Sequence, residues 1–340
     1  MNRSNQKKMS IFQIIINTIV LIIFSLICIL LLTTYNPNFI GEDSPKNENA
    51  GTDSGAVLQF DDGRFPHQYK IISPPLPESL YFCGERVPLE NYDVRERLDR
   101  EIVVNTYWHS SMVFFIKRSN RWFPLIEPIL KKNGIPEDMK YVALIESDLL
   151  NVVSPAQAVG FWQFVKSAAI EYGLEVSESV DERYNVEKAT EAACRYLKKA
   201  KAKFGSWTLA AASYNMGIKG VERQLERQKT KNYYNLVLNP ETSRYMFRIL
   251  AVRTILSDPS KYGFDIKNED LYFPIETYEI NITTSIDDLA DWAFMHGINY
   301  KILKDLNPWL RTNYLKNPTG KVYKIKMPKV IDETILIKED

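Results

Sequence analysis

Glu146 has the most demanding surroundings in the sequence. It lies in Tyr141-Val-Ala-Leu-Ile-Glu-Ser-Asp-Leu-Leu150, and the run from Tyr141 to Ile145 is wholly apolar. Such a run marks a helix buried on most sides. Glu146 shares a stripe with Met139 and Val142, between Ile145 and Leu149. Desolvation and the negative end of its own helix both raise the pKa of a carboxyl placed there. A carboxylic acid that keeps its proton near neutrality can act as a general acid. A glutamate on the exposed edge of the same helix fits this segment equally well.

Three more segments carry polar side chains of chemical interest. They are Ser154-Pro-Ala-Gln-Ala-Val-Gly-Phe-Trp-Gln163, Ala211-Ala-Ser-Tyr214-Asn215-Met-Gly217 and Glu241-Thr-Ser-Arg-Tyr245. Taken singly they are weak signals, since Trp162 and Tyr214 suit a core and a lone Gln163 or Asn215 suits a surface.

These segments need helices to position them, and the pattern supplies a mainly α architecture from Pro77 to Gly263. Leu98, Ile102 and Val103 give one stripe over Val94–Tyr107. A second helix is expected near Trp122, stopping at Gly134. Pro136, suited to a first helical position, opens a third that runs through Leu150. Further helices are expected from Lys166, Val186 and Ser206. The Val186 helix buries Ala189, Ala193, Leu197 and Ala200 and stops at Gly205. Pro240–Leu256 is the last of this region.

In this order the motifs resemble those of the family 1 lytic transglycosylases, over residues 77–263. Glu146-Ser147 is similar to the family's Glu-Ser motif, and Gly160-Phe-Trp-Gln163 to its Gly-Leu-Met/Trp-Gln motif. Ser213-Tyr-Asn-Met-Gly217 is similar to Ala-Tyr-Asn-Ala-Gly, and Tyr245 to the late tyrosine after Glu-Thr. Asp181-Glu-Arg183 and Ala192-Ala-Cys-Arg-Tyr-Leu197 resemble helical packing segments of the same family. Phe161, Ser213 and Met216 replace the commoner Leu, Ala and Ala.

The resemblance implies a goose-type, lysozyme-like helical catalytic domain that cleaves the MurNAc-GlcNAc β-1,4 bond of peptidoglycan. The product would carry a 1,6-anhydro-muramyl end, as in cell-wall remodelling or turnover. It implies Glu146 as the catalytic carboxyl, with Ser147, Ser154, Gln163, Tyr214, Asn215 and Tyr245 binding substrate, and no cofactor or metal. Glycosidases normally pair two carboxylates. No second acid is evident in the matched motifs, and Asp148, two residues from Glu146, points to another side of a helix. One carboxyl would then act as acid and base in turn. A muramidase-type hydrolase using the same Glu and a catalytically inactive glycan-binding envelope protein stay open as alternatives.

After Tyr262 the pattern changes. Tyr278–Thr283 and Val322–Met327 read as strands around two short helices, Ile286–His296 and Lys301–Leu306. This small βααβ unit resembles a LysM domain, with Thr283-Thr-Ser-Ile286 in place of the usual Gly-Asp-Thr-Leu turn. A separate module of this kind is expected to target the enzyme to glycan rather than to do chemistry; with the turn replaced, a packing domain that binds no ligand stays open as the alternative.

Ile11–Leu32 is an uncharged apolar run of 22 residues. As a helix it spans about 33 Å, enough for a bilayer core of about 30 Å. Arg3, Lys7 and Lys8 precede it, and no Lys or Arg follows until Lys46. The positive-inside rule then places the N-terminus in the cytoplasm and the body outside. The run is long for a cleaved signal peptide and ends without Ala-x-Ala, and Cys28 follows Ile27 where a lipoprotein signal needs a small residue. The expected organisation is a cytoplasmic segment (1–10), a transmembrane anchor (11–33), a flexible linker (34–76), the catalytic domain (77–263), a linker (264–274) and the LysM-like domain (275–330). That makes a single-pass protein of a bacterial inner membrane, its catalytic domain facing the periplasm, with glycan strands as its partner.

Composition limits the alternatives. Lys+Arg number 43 and Asp+Glu 42, so the chain lacks the basic excess of a nucleic-acid binder. Three cysteines exclude a disulfide scaffold and a Cys₄ zinc site, and three scattered histidines speak against a His-based metal site. An oxidising compartment would permit a Cys83–Cys194 bridge, although the alanine-rich helical setting of Cys194 fits a buried free thiol.

Overall fold

The computed structural model describes residues 71–330. The segment 1–10, the anchor expected over 11–33 and most of the linker lie outside the described residues. No helix among the described residues is long and apolar enough to cross a membrane.

Eight helices of the larger region position the site. They are α1 (Tyr92–Tyr107), α2 (His109–Lys132), α3 (Lys140–Ser147), α4 (Lys166–Glu171), α5 (Val186–Phe204), α6 (Trp207–Met216), α7 (Ile218–Gln228) and α8 (Pro240–Ser257). Local chemistry sets several ends. The Asn185 side chain accepts the Lys188 N–H at the start of α5, and Gly205, at φ +67°, closes its end. The Asn239 side chain caps α8 ahead of Pro240. Helix α8 runs along α1 and also packs on α3 and α6. Its Met246, Phe247, Ile249 and Leu250 are fully buried. Each such side chain contributes roughly 1.5–3 kcal/mol by leaving water.

Three helices depart from the sequence expectation. Helix α2 begins at His109, well before Trp122, and continues through Pro124 and Pro128. A proline inside a helix removes a backbone donor and strains the preceding turn at roughly 3 kcal/mol. Burial of Met112, Phe115, Phe123, Ile126 and Leu130 on one side of α2 outweighs that cost. Helix α3 starts after a 3₁₀ turn at Glu137–Met139 and ends at Ser147 instead of running to Leu150. Asp148 and Leu149 there take left-handed φ values of +56° and +55°. Helix α7 was not anticipated, because its sequence is mostly polar or charged and buries only Gly220 and Val221.

A short hairpin, β1 (Tyr81–Phe82) and β2 (Glu85–Arg86), precedes the helices. The carboxylate of Glu85 reaches the start of α6, where it accepts from the N–H groups of Trp207 and Thr208 and the hydroxyls of Ser206 and Thr208. Cys83 and Cys194 are both unbridged, and burial pushes the Cys194 thiol up to about 12.

The C-terminal unit is β3 (Thr277–Ile282), α9 (Leu289–Met295), α10 (Tyr300–Leu306) and β4 (Tyr323–Pro328). The strands pair antiparallel, with Ile280 opposite Ile325. Its core, around Leu289, Leu303 and Ile325, is not closed on itself. Val159, Val180 and Tyr184 of the preceding region belong to the same buried apolar cluster.

Glu85 yields a pH prediction. Burial alone would raise its pKa, but the hydrogen bonds from α6 prevail and hold it at about 2. A carboxyl with a depressed folded pKa stabilises the fold above its unfolded value and loses that contribution as pH falls through the folded one. Glu85→Gln is expected to cost roughly 2 kcal/mol at pH 7. The gap from the parent should narrow between about pH 4.5 and 2, as read by denaturant unfolding across that range.

Candidate active site

The last turn of α3 places Glu146 at the centre of the site. The Tyr245 hydroxyl, from α8, donates to Glu146 Oε1 at 2.6 Å. That leaves Oε2 as the oxygen able to carry an acidic proton. Desolvation pushes the Glu146 pKa up, and nearby Glu241 pushes the same way. The Tyr245 hydrogen bond and the charge of Arg248 pull it down, and the balance lies at about 7. The carboxyl is enclosed by protein although the residue as a whole keeps some exposure. The negative end of α3 acts in the same direction as desolvation.

The turn after α3 is braced from several sides. Ser147 is buried, and its hydroxyl donates to the carbonyls of Ala143 and Phe161. It is therefore placed to join α3 to the turn, not to touch a substrate. Gly160 has φ +77°, and a Cβ on it would lie 2.1 Å from the Arg183 carbonyl oxygen. Only glycine allows the two backbones to approach this closely. Trp162 is fully buried, and its indole N–H donates to Thr190 Oγ1 at 2.8 Å. Gln163, at φ +47°, uses its amide N–H groups on the carbonyls of Gly160 and Val152. The Ser154 hydroxyl oxygen accepts the Ala158 N–H and closes the preceding loop.

Tyr214 stands within the electrostatic reach of Glu146 and Tyr245. Its hydroxyl donates to the Trp162 carbonyl at 2.8 Å, and its ring packs edge-on against Tyr196 and Phe164. Asn215 links α6 to α8, donating to Glu241 Oε1 and accepting from the Thr242 hydroxyl. The structure thus gathers Glu146, Tyr214 and Tyr245 into one group. It puts Asn215 at the edge of that group beside Glu241, and gives Ser147, Ser154 and Gln163 bonds that shape the turn.

Two charged residues of the site were missed from the sequence. Glu241 is a second carboxylate near Glu146, close enough to raise its pKa, so the matched segments do hold another acid. Arg248 lies one turn of α8 beyond Tyr245, and its charge reaches Glu146, Asp148 and Tyr245. The i, i+3 spacing from Tyr245 is the signal that places Arg248 on the same face. Asp148 has left the helix, so its carboxyl shares that field; burial raises its pKa against Arg118 and Arg248.

Stability and titration should reflect this balance. The native state holds the Glu146 proton more tightly than the unfolded chain does. Its stabilising contribution is therefore complete below about pH 4.5 and lost as pH rises through about 7. Glu146→Gln is expected to match the parent at low pH and to exceed it by roughly 2 kcal/mol at pH 8, measured by denaturant unfolding. Carboxyl NMR should find the Glu146 pKa raised further in Tyr245→Phe and Arg248→Gln, and lowered in Glu241→Gln.

Comparison with known proteins follows these landmarks. Residues 124–237 match the family model described as the transglycosylase SLT domain. Residues 278–330 match the soluble lytic transglycosylase C-terminal LysM-like domain. Membrane-bound lytic murein transglycosylase D of Escherichia coli strain K12 is 26% identical over 257 residues, covering 73% of this chain and 55% of that protein. The same protein of Escherichia coli O6:H1 matches equally. The chain thus spans about half the length of the curated relatives it matches. An X-ray structure of an inactive mutant of lytic transglycosylase Slt from Pseudomonas aeruginosa aligns at a TM-score of 0.34 and 16% identity, over 53% of this chain and 35% of that one. That alignment is too loose to bear on the fold. With both domain models matched in order, the chain carries a transglycosylase SLT domain followed by a LysM-like domain of the lytic transglycosylase type, and it is homologous to membrane-bound lytic murein transglycosylase D of Escherichia coli.

Proposed function

We propose that the chain is a peptidoglycan lytic transglycosylase that cleaves the MurNAc-GlcNAc β-1,4 bond. The observation that carries this reading is a carboxyl with a pKa of about 7, hydrogen-bonded to Tyr245 and lying inside the matched transglycosylase segment. Protonated Glu146 gives its proton to the glycosidic oxygen as the bond to the muramyl anomeric carbon breaks. The N-acetyl oxygen of the same sugar stabilises the cationic centre, a known exception to the two-carboxylate scheme. The Glu146 carboxylate then takes the proton of the muramyl 6-hydroxyl as that oxygen closes on the anomeric carbon. The acid is regenerated, and the product is a 1,6-anhydro ring. Holding the hydroxyl near the reacting carbon favours this route, because intramolecular attack gains from proximity. Substrate contacts are assigned to Tyr214, Asn215, Gln163, Ser154 and Tyr245 by the resemblance of the motifs.

The relative's printed name, membrane-bound and murein-directed, supports a place in the cell envelope for this chain. We assign residues 11–33 to a single inner-membrane anchor, with the catalytic region on the periplasmic side. A second reading, hydrolysis by an activated water, draws support from Glu241, the additional carboxylate beside Glu146.

Digestion of purified sacculi, followed by borohydride treatment and mass analysis, separates the two. Anhydro ends are one water lighter and resist reduction. Mostly reducible muramic ends would select the hydrolase. Glu146→Gln is expected to lower turnover by about 10²–10⁴-fold or more, the usual contribution of a general acid. An inactive variant that also melts far below the parent would assign Glu146 to structure instead.

A further inference from the structure

The segment between α4 and α5 is held by the C-terminal domain along its length. Val180 forms an antiparallel bridge with Leu310. The Asp181 N–H donates to the Trp309 carbonyl, and the Arg311 N–H to the Ser179 carbonyl, both at 2.9 Å. The Arg311 guanidinium lies 3.8 Å above the Tyr184 ring. Charge is divided by side: Glu175, Glu178 and Glu182 on this segment face Lys316 and Lys321 of the C-terminal domain. The Tyr323 hydroxyl also donates to Glu175 at 3.0 Å. Such complementarity sets a fixed register between two surfaces.

The same segment grips the turn beside Glu146. Arg183 and Asp181 pair with side chains only 10% exposed. Nε and Nη2 of Arg183 are engaged by Asp181, which leaves Nη1 to donate to the carbonyls of Gln157 and Phe164 at 3.2 and 3.1 Å. Those carbonyls sit on either side of the Gly160–Gln163 turn. The Arg183 carbonyl is also the atom that forbids a Cβ on Gly160. Val159, next to Gly160, is buried in the core of the C-terminal domain. From the turn, contact passes to Glu146 by two short routes, Phe161 to Ser147 and Trp162 to Tyr214.

We propose that the C-terminal domain is a working part of the active site, and that Arg183 is the positioning residue through which it holds the Gly160–Gln163 turn against Glu146-Ser147. This rests on Glu146 being the reacting acid, and it replaces the expectation of a module used for targeting alone. Misplacement of a site by about 1 Å through a remote change can cost about 10²-fold in rate. Arg183 touches no reacting atom, so its loss acts on the rate with substrate held and leaves initial binding largely unchanged.

The test uses the full chain with Arg183→Ala, Arg183→Lys and the double variant Lys321→Ala, Tyr323→Phe, which lies at the domain boundary away from Glu146. Amide hydrogen exchange is read over residues 157–164 and over α8, and kcat and KM are read on a short soluble glycan. Arg183→Ala should speed exchange in 157–164 by about tenfold, leave α8 unchanged, and lower kcat by about 10²-fold with KM within about twofold. Arg183→Lys should recover part of both. The boundary variant should move exchange in 157–164 and kcat in the same directions by several-fold, and it decides the matter if Arg183→Ala does not fold. Unchanged exchange in 157–164, or equal acceleration in α8, would overturn the proposal. A parent that makes no anhydro ends would overturn the reading of Glu146 instead, while exchange would still decide whether the domain holds the turn.

Discussion

The hydrogen bond from Tyr245 to Glu146 is the contact around which the larger region is organised. A carboxyl at the end of a buried helix is costly, and the protein keeps it by two means. One donor fixes its orientation, and its raised pKa lets it hold a proton up to near neutrality, which lessens the charge that is buried. To deliver that donor, α8 must cross α3 at a fixed height. Its apolar face is packed on α1 and α6 accordingly, and the buried Glu101 of α1 pairs with Arg244, the residue before Tyr245.

The turn beside Glu146 depends on backbone geometry more than on side-chain charge. Gly160 and Gln163 take left-handed conformations, and so do Asp148 and Leu149 at the end of α3. Non-glycine residues in that region carry local strain, which persists only where the surroundings over-determine it. Here the surroundings are Trp162 on Thr190, Tyr214 on the Trp162 carbonyl and Arg183 on Gln157 and Phe164. Polar residues that the motifs presented as ligands, Ser147 and Ser154 above all, make bonds that hold this backbone.

Much of the frame was legible because it is written in local chemistry. The Gly205 stop of α5, the Pro240 start of α8, the start of α6 at Ser206 and the two alternating strands, each expected within one residue of where it lies, depend on neighbours within a few residues. Glu146 was legible because an acid in an apolar run conflicts with its setting. The length of α2 was hidden, since two prolines argue against a helix that only tertiary burial rescues. Glu241 and Arg248 were hidden for another reason. Spacing within α8 puts Arg248 on the face of Tyr245, but its influence and that of Glu241 on Glu146 depend on how α8 lies against α3, which lies outside either helix's own pattern. The shared core of Val159, Val180 and Tyr184 with the C-terminal domain was equally out of reach, because each of them reads as an ordinary strand or loop residue.

The separation of the partners along the chain has a temporal meaning. Tyr245 follows Glu146 by 99 residues, and Lys321 follows Glu182 by 139. Contacts this distant close large loops and cannot form until both partners have been made. A chain emerging from its N-terminus presents the acid first, its phenolic partner much later and the brace on the neighbouring turn last of all. The acid and its brace would thus meet only after the LysM-like domain has been made, with the order of residues serving as a delay.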